Sequence, residues 1–312
     1  MTITQLEYII AVDTHRHFAK AARECHVTQP TLSMQIQKLE DQLGIKVFDR
    51  SKQPVVPTEI GTKVINQARL VVNESKKIRE MVEEEKEEVA GDLRLGIIPT
   101  LAPYLVPRFV ASFLEQFPKV RLHIEELLST DVLYGLKHGK LDVGIMVTPT
   151  EDPSIYETPL FYEPFQAYVS PRHSLFQATE IKPGQIHLED IWLLQEGHCF
   201  RNQVLNLCGQ EGNTGPLRSL SYESGSLEAL KRLVDRQSGL TLLPQLAALD
   251  LSPDDKKKLR TLVQGPVREV SMVMHRSFLK KKMLDALSKE IVKSIPPGIP
   301  REQNGEVILW NT

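Results

Sequence analysis

The chain has 312 residues, 41% of them apolar and 25% charged, which describes a globular protein with material for two or three domains. Lys and Arg number 38 against 40 Asp and Glu, a net charge of -2, so no global field draws it to nucleic acid or membrane and any such partner must meet a local patch. The composition excludes disorder and collagen-like repeats, and no apolar run approaches the roughly 18 residues of a membrane span. MTITQLEYIIAVDTHRHF has neither a positive n-region nor a small-residue cleavage site, so a cytoplasmic protein with no membrane partner is expected. The cysteines, Cys25, Cys199 and Cys208, are too few for a disulfide scaffold. In a reducing cytosol a disulfide between any two would be transient, catalytic or sensory.

Residues 1–58 are helix-rich and close with Pro54 and Pro57. Ile3, Leu6, Ile9, Ile10 and Val12 give a first short helix its apolar face, and Phe18, Ala21 and Ala22 start a second. After a break at His26-Val27, Thr28 is a candidate N-cap and Pro30 falls in the first turn of a third helix. There Leu32, Ile36, Leu39 and Leu43 fall on one stripe, at i, i+4, i+7 and i+11, before Gly44 stops the helix. Two helices joined by a short turn make a helix-turn-helix, and Val47 to Arg50 with Val55-Val56 can form a hairpin, its wing.

From Thr58 to about Val89 there is no Pro, and the only Gly is Gly61. Val64, Ala68, Val71, Ser75, Ile78 and Val82 repeat as a heptad seam, and EEEKEE at 83–88 ends it in solvent. The plainer reading is one amphipathic helix packed on its own domain, but a length of roughly 45 Å at 1.5 Å per residue favours a helix that pairs with a second copy of the chain.

Beyond Gly91, strands and helices alternate. Strands are expected at 93–97, 120–124, 142–147, 166–170, 192–195, 240–243 and 270–274. Helices are expected before Phe117, over about Thr130 to His138, over Ser226 to Arg236, and last up to Ser294. The alternation argues α/β architecture with mostly parallel pairing. After Pro296-Pro297 a loose tail, 296–312, is expected.

The segment AARECHVTQPTLSMQIQKLEDQLGIKVFDR at 21–50 resembles the winged helix-turn-helix of LysR-type transcriptional regulators, Thr-Gln-Pro-Thr-Leu-Ser at 28–33 being a specific part of the pattern. The resemblance covers residues 1–295. Within the family, EGHCFRNQVLNLC at 196–208 is similar to the redox segment of hydrogen-peroxide sensors, and LGIIPTLAPYLVPRF at 95–109 and SGLTLLP at 238–244 point the same way. The implied fold is a winged helix-turn-helix (1–58), a linker helix (59–89) and a two-lobed α/β regulatory domain (90–295) like type II periplasmic binding proteins. Lobe I is placed at about 90–161 with 268–295, and lobe II at about 162–267. The implied function is a peroxide-sensing activator or repressor of oxidative-stress genes, without cofactor or metal. Its implied partners are double-stranded DNA with two-fold related half-sites, a second copy through the linker helix, a homotetramer, RNA polymerase, and glutaredoxin or thioredoxin as reductant.

With its apolar stripe inward, the third helix turns out Pro30, Met34, Gln37 and Lys38, flanked by Thr31, Ser33 and Gln35. Hydroxyl and amide side chains can donate and accept at base edges, and the helix N-terminus favours phosphate. The resemblance implies that Gln29, Thr31 and Ser33 contact DNA and that Arg50 on the wing touches the backbone. In residues 1–58, seven Lys and Arg face six Asp and Glu, so the bases must be segregated on one face.

A thiol reacts with peroxide as thiolate, and an ordinary Cys titrates near roughly 8.5. Cys199 follows Gly197-His198 and precedes a plausible helix, Phe200 to Leu207, whose amide end favours an anion. His198 and Arg201 are near enough in sequence to supply charge or donors. Cys208 lies nine residues on, roughly 13 Å along a formed helix, against the roughly 4.4–6.8 Å between Cα atoms that a disulfide needs. The resemblance implies that Cys199 and Cys208 form the redox switch and that Thr100, Ser129 (a Thr in the family) and Arg268 lie about the peroxide. The plainer readings are two small buried hydrophobes, or metal binding with His198, whose spacing fits no common zinc pattern. A LysR-type regulator that binds a metabolite between its lobes, and a thiol peroxidase with an appended helix-turn-helix, are the competing functions. Cys25 is expected to pack within the first domain, and His15 and His17 to be solvated.

Overall fold

The computed structural model describes residues 1–84, 89–208, 222–276, 278 and 280–310. The chain forms two compact units, residues 1–88 with 137–140 and residues 89–136 with 141–312. In the first, α1 (Ile3–His15) opens on a capping box, the Thr2 hydroxyl accepting from the Gln5 amide and the Gln5 side chain from the Thr2 amide. α2 (Phe18–Glu24) and α3 (Gln29–Leu43) form the helix-turn-helix. Thr28 caps α3 by accepting from the Thr31 amide, and Gly44 ends it at φ 67, a left-handed position that disfavours any Cβ. β1 (Phe48–Asp49) and β2 (Val56–Pro57) pair antiparallel as the wing.

Leu32, Ile36 and Leu39 are buried as their spacing requires, but Leu43 is 40% exposed. The turn at Gly44 brings the Val47 and Phe48 amides back over α3, and both need an acceptor. The buried Glu40 carboxylate supplies it, at 2.8 and 3.3 Å, and so takes up the inward position at this end of the helix. His15 and His17 are likewise more than solvated. His15 pairs with Glu24, and His17 Nδ1 caps α2 by accepting from the Ala19 amide. Cys25 packs at the edge of this core.

α4 (Glu59–Glu84) gives Ile65, Ala68 and Val72 to the same core, while Val71 and Ile78 of the heptad seam are 37% and 69% exposed. The acidic run at 83–88 lies outside the side chains described.

The second unit contains β3 (Gly91–Ile97), α5 (Ala102–Gln116), β4 (Val120–Glu126), α6 (Ser129–Lys137), β5 (Val143–Thr148), β6 (Ile155–Val169) and β7 (Glu180–Ile181). There follow α7 (Cys199–Leu207), α8 (Leu227–Arg236), β8 (Leu240–Pro244), α9 (Gln245–Leu249), α10 (Pro253–Lys256), β9 (Leu259–Leu262), β10 (Val267–His275) and α11 (Lys281–Ser294). The sheet runs β4-β3-β5-β10-β6-β9-β7, with β8 also on β6. Pairing is parallel for β3 with β4 and β5 and for β7 with β9, but antiparallel for β10 with β5 and β6 and for β6 with β8 and β9. The mostly parallel sheet expected from the alternation is therefore corrected to a mixed one. β6 carries the chain into lobe II and β10 carries it back, so these neighbours run in opposite directions. β6 pairs with β10 over Ile155–Pro164 and with β8 and β9 beyond it, so one strand serves both lobes.

Two further expectations change. Residues 192–195 form no strand: the segment touches β8 through an Ile191–Leu240 bridge and the Trp192 amide, then peels away towards α7. The described part of the tail, 296–310, is not loose. Val267 at the open end of β10 has an unpaired edge, and residues 306–308 pair with it: the Val267 amide donates to Glu306 O, and the Ile308 amide to Val267 O, both at 2.9 Å.

Candidate functional site

Cys199 is the first residue of α7, one position earlier than the sequence suggests, with His198 as N-cap. Ser129 is the first residue of α6, and α5 begins two residues after Thr100, so three helix N-termini converge on this region. Arg268 and Glu163, both fully buried, hold it together. Arg268 Nε and Nη2 donate to Glu163 Oε2 at 2.9 and 2.7 Å, Nη1 donates to Thr100 Oγ1 at 2.9 Å, and Nη2 also donates to Thr100 O at 3.2 Å. Glu163 Oε1 accepts from the Leu246 amide at 2.6 Å, which fixes the other side of the carboxylate. The guanidinium lies 5.3 Å from the Phe200 ring centroid, and Phe200 stacks on Phe165.

Burial pushes the Cys199 thiol up, so the resting sulfur is protonated. The groups that oppose this are the Ser129 hydroxyl, Arg268 and the amides at the start of α7, all of which favour an anion. Ser129 Oγ is buried and completes no hydrogen bond of good geometry among the described residues, yet it lies close enough to Cys199 to act on its charge. A hydroxyl with unspent capacity thus sits beside the thiol. Cys208 caps the far end of α7, also buried, its thiol pushed up to about 11 by burial. Both cysteines are free.

Neither His198 nor Arg201 is among the groups that act on the charge of Cys199. Burial lowers the pKa of His198, which makes it a neutral ring and no source of charge. Arg201 spends Nη1 on the Leu194 carbonyl at 2.9 Å. Among the described residues no group of three His, Cys, Asp or Glu is placed to hold a metal ion.

On α3, Gln29, Pro30, Thr31, Met34 and Lys38 are exposed and Ser33, Gln35 and Gln37 half-buried. Thr31 shares a 2.8 Å hydrogen bond with the Thr28 hydroxyl, and Gln35 accepts from Gln5 at 3.2 Å. Arg50 reaches from the wing to Ser33 Oγ at 3.2 Å and Glu40 Oε2 at 3.3 Å, lying 5.1 Å from the Phe18 ring centroid. Glu40 thereby offsets part of the Arg50 charge. Lys20, Arg23 and Lys38 are exposed and form no ion pair among the described residues, so a unit with a small net charge still presents free cations.

Residues 3–62 match the bacterial regulatory helix-turn-helix family, lysR type, and residues 86–294 match the LysR substrate binding domain. The chain belongs to the LysR family. It is similar to the hydrogen peroxide-inducible genes activator of Dickeya chrysanthemi, 38% identical over 247 residues that cover 79% of this chain and 80% of that one. It is also similar to the DNA-binding transcriptional dual regulator OxyR of Escherichia coli K12, at 36% over 258 residues, 83% and 82% of the two chains. Among solved structures, a full-length OxyR variant from Pseudomonas aeruginosa superposes with a TM-score of 0.79 at 32% identity, covering 94% of this chain and 98% of that one.

This LysR regulator therefore joins a DNA-binding helix-turn-helix to a two-lobed α/β regulatory domain, and no described helix is long and apolar enough to cross a membrane. Sequence reasoning passed over Glu163. The signal was available, since an acid inside the apolar run LFYEPFQAYV is costly to bury unless a cation meets it.

Proposed function

We propose that this LysR-family regulator senses hydrogen peroxide and controls oxidative-stress genes through a reversible Cys199–Cys208 disulfide. The observation that carries the reading is the buried Cys199 thiol at the start of α7, beside the Ser129 hydroxyl and the Arg268–Thr100 pair, with Cys208 at the other end of the same helix. The Cys199 sulfur attacks one peroxide oxygen, and the O–O bond breaks. The departing hydroxide takes up the thiol proton as water and leaves a sulfenic acid. Cys208 sulfur then displaces the sulfenic oxygen, the S–O bond breaking as S–S forms, and a second water carries off the Cys208 proton. Two thiols lose two electrons and the peroxide gains them.

Thr100, Ser129 and Arg268 are assigned to the peroxide oxygens, where unspent donors favour the leaving charge. His198 shapes the pocket as a neutral ring, and Arg201 braces the loop before α7. The disulfide cannot close across a helix of nine residues, so α7 unwinds and changes lobe II, here residues 162–267, relative to lobe I at 90–161 and 268–295. A dithiol reductant, glutaredoxin or thioredoxin, resets the switch by exchange and leaves with the disulfide.

Gln29, Pro30, Thr31, Ser33, Gln35 and Lys38 are assigned to a major groove and Arg50 to the flanking backbone. Exposed Val71 and Ile78 on α4 favour a homodimer that places two such helices on half-sites, and a tetramer in contact with RNA polymerase is the further assembly we propose. The test is peptide mapping by mass spectrometry before and after near-stoichiometric hydrogen peroxide. A Cys199–Cys208 disulfide that forms rapidly and reverses with dithiothreitol is expected, and Cys199→Ser is expected to abolish the response on DNA. An intact response in Cys199→Ser would move the reading to a metabolite between the lobes, and sustained peroxide turnover would move it to an enzyme.

A further inference from the structure

We infer that the C-terminal segment 300–310 is a strap that holds α7 helical and reduced, and so sets how much peroxide the switch requires. The inference rests on the thiol-switch reading above. Asn202 Nδ2 donates to Trp310 O at 3.0 Å, Gln203 Nε2 to Ile308 O at 2.6 Å, and Asn206 Nδ2 to Leu309 O at 2.9 Å. Three consecutive tail carbonyls are thus met by three side-chain amides of α7, at i, i+1 and i+4. That spacing places them on one helical face, the face that begins at Cys199 three residues before Asn202. Gln203 is fully buried, so this contact is part of the interior.

The same segment is also fixed along its length to the sheet strands and to the residue that follows β5. The Tyr162 amide donates to Pro300 O at 2.8 Å, Trp310 Nε1 donates to Pro149 O at 3.0 Å, and residues 306–308 pair with Val267. Val267 adjoins Arg268, the cation that acts on Cys199. One segment therefore ties the thiol helix to the strand that carries its charge partner.

The three donors match the tail only while α7 is helical. Disulfide closure, with two thiols oxidised and hydrogen peroxide reduced to two waters, requires that helix to open and the registry to be lost. A contact made with one state alone stabilises that state, and by linkage its removal favours the other. The strap therefore opposes oxidation, and oxidation frees the strap.

The experiment compares the full chain, a chain truncated after Pro300, and the double variant Asn202→Ala/Asn206→Ala, which keeps the tail and the buried Gln203. Hydrogen exchange of the 200–207 amides is first measured in dithiothreitol, with no peroxide present. At least about tenfold faster exchange is expected in both altered chains, from the loss of two or three hydrogen bonds. Unchanged exchange in the double variant overturns the strap whether or not peroxide ever forms a disulfide, and that variant decides the matter if the truncated chain fails to fold. Hydrogen peroxide titration then follows, with the disulfide read by mass. A half-oxidation dose lowered by a similar factor supports the inference, and an equal dose despite faster exchange overturns the claim that the strap sets the threshold. A full chain whose cysteines stay unmodified at every dose sinks the thiol-switch reading instead, and with it the strap's regulatory role.

Discussion

Glu163 pairs with Arg268, the one charged side chain among the described residues that acts on the Cys199 thiol. A fully buried guanidinium and carboxylate are stable only as a hydrogen-bonded pair, and here the carboxylate also satisfies the Leu246 amide. Its negative charge mutes the field that Arg268 exerts on Cys199, so burial keeps the thiol above its ordinary range. Because the thiolate is the reactive form, the rate of oxidation by peroxide is expected to climb with pH through and beyond the usual thiol range. Glu163→Gln keeps the shape and leaves the Arg268 charge unmatched, which lowers the thiol pKa. The rate-against-pH curve is expected to move about one unit towards acid, by stopped-flow thiol oxidation, with a stability loss of up to about 3–5 kcal/mol for a broken buried pair. An unmoved curve would leave Glu163 a purely structural anchor. At this scale the sequence was half legible. The thiols and Thr100 lie in the segments 196–208 and 95–109, and Ser129 and Arg268 were named only through the family resemblance, but the Glu163 partnership spans 105 residues, and no local pattern encodes it.

At the scale of elements, α3 and α4 were legible because each has a regular apolar period, and α3 has its own caps at Thr28 and Gly44. Leu43 departs from its stripe because the stripe cannot register that two wing amides need an acceptor at that turn. α4 shows a related division. Ala68 goes inward with Ile65 and Val72, while Val71 and Ile78 stay out, so the heptad seam serves two surfaces at once. Fold and assembly are therefore separable by mutation. Val71→Glu with Ile78→Glu removes apolar contacts that the single chain does not use, so its secondary structure and melting are expected to change little, within about 0.5 kcal/mol. Sedimentation is expected to show the dimer weakened, and DNA affinity to fall with it, since two half-sites then bind independently. An unchanged sedimentation coefficient would remove α4 as the pairing surface.

At the scale of the whole molecule, the errors of sequence reading share one cause: contacts made far apart in the chain. Strand–helix alternation is a local pattern and says nothing of how β6 and β10, about a hundred residues apart, run past each other, which is why the mixed sheet was read as mostly parallel. The tail was read as loose because its partner, the open edge of β10 at Val267, cannot be seen from residues 296–312. Each unit has a core of its own, one around Ile9, Ile36 and Ile65 and the other around Leu95, Phe161 and Leu287. Two self-sufficient cores imply that the switch does not need the DNA reader in order to fold. Residues 89–312 alone, with the strap and the whole cluster about Cys199, are expected to melt cooperatively and to form the Cys199–Cys208 disulfide at the full chain's rate within about twofold. The measurement is thiol mapping of the fragment beside the intact protein under one dose of hydrogen peroxide. A fragment that folds but oxidises much more slowly would mean that the first unit or assembly through α4 helps to open α7, and the redox chemistry would then be a property of the assembled regulator and not of one lobe pair.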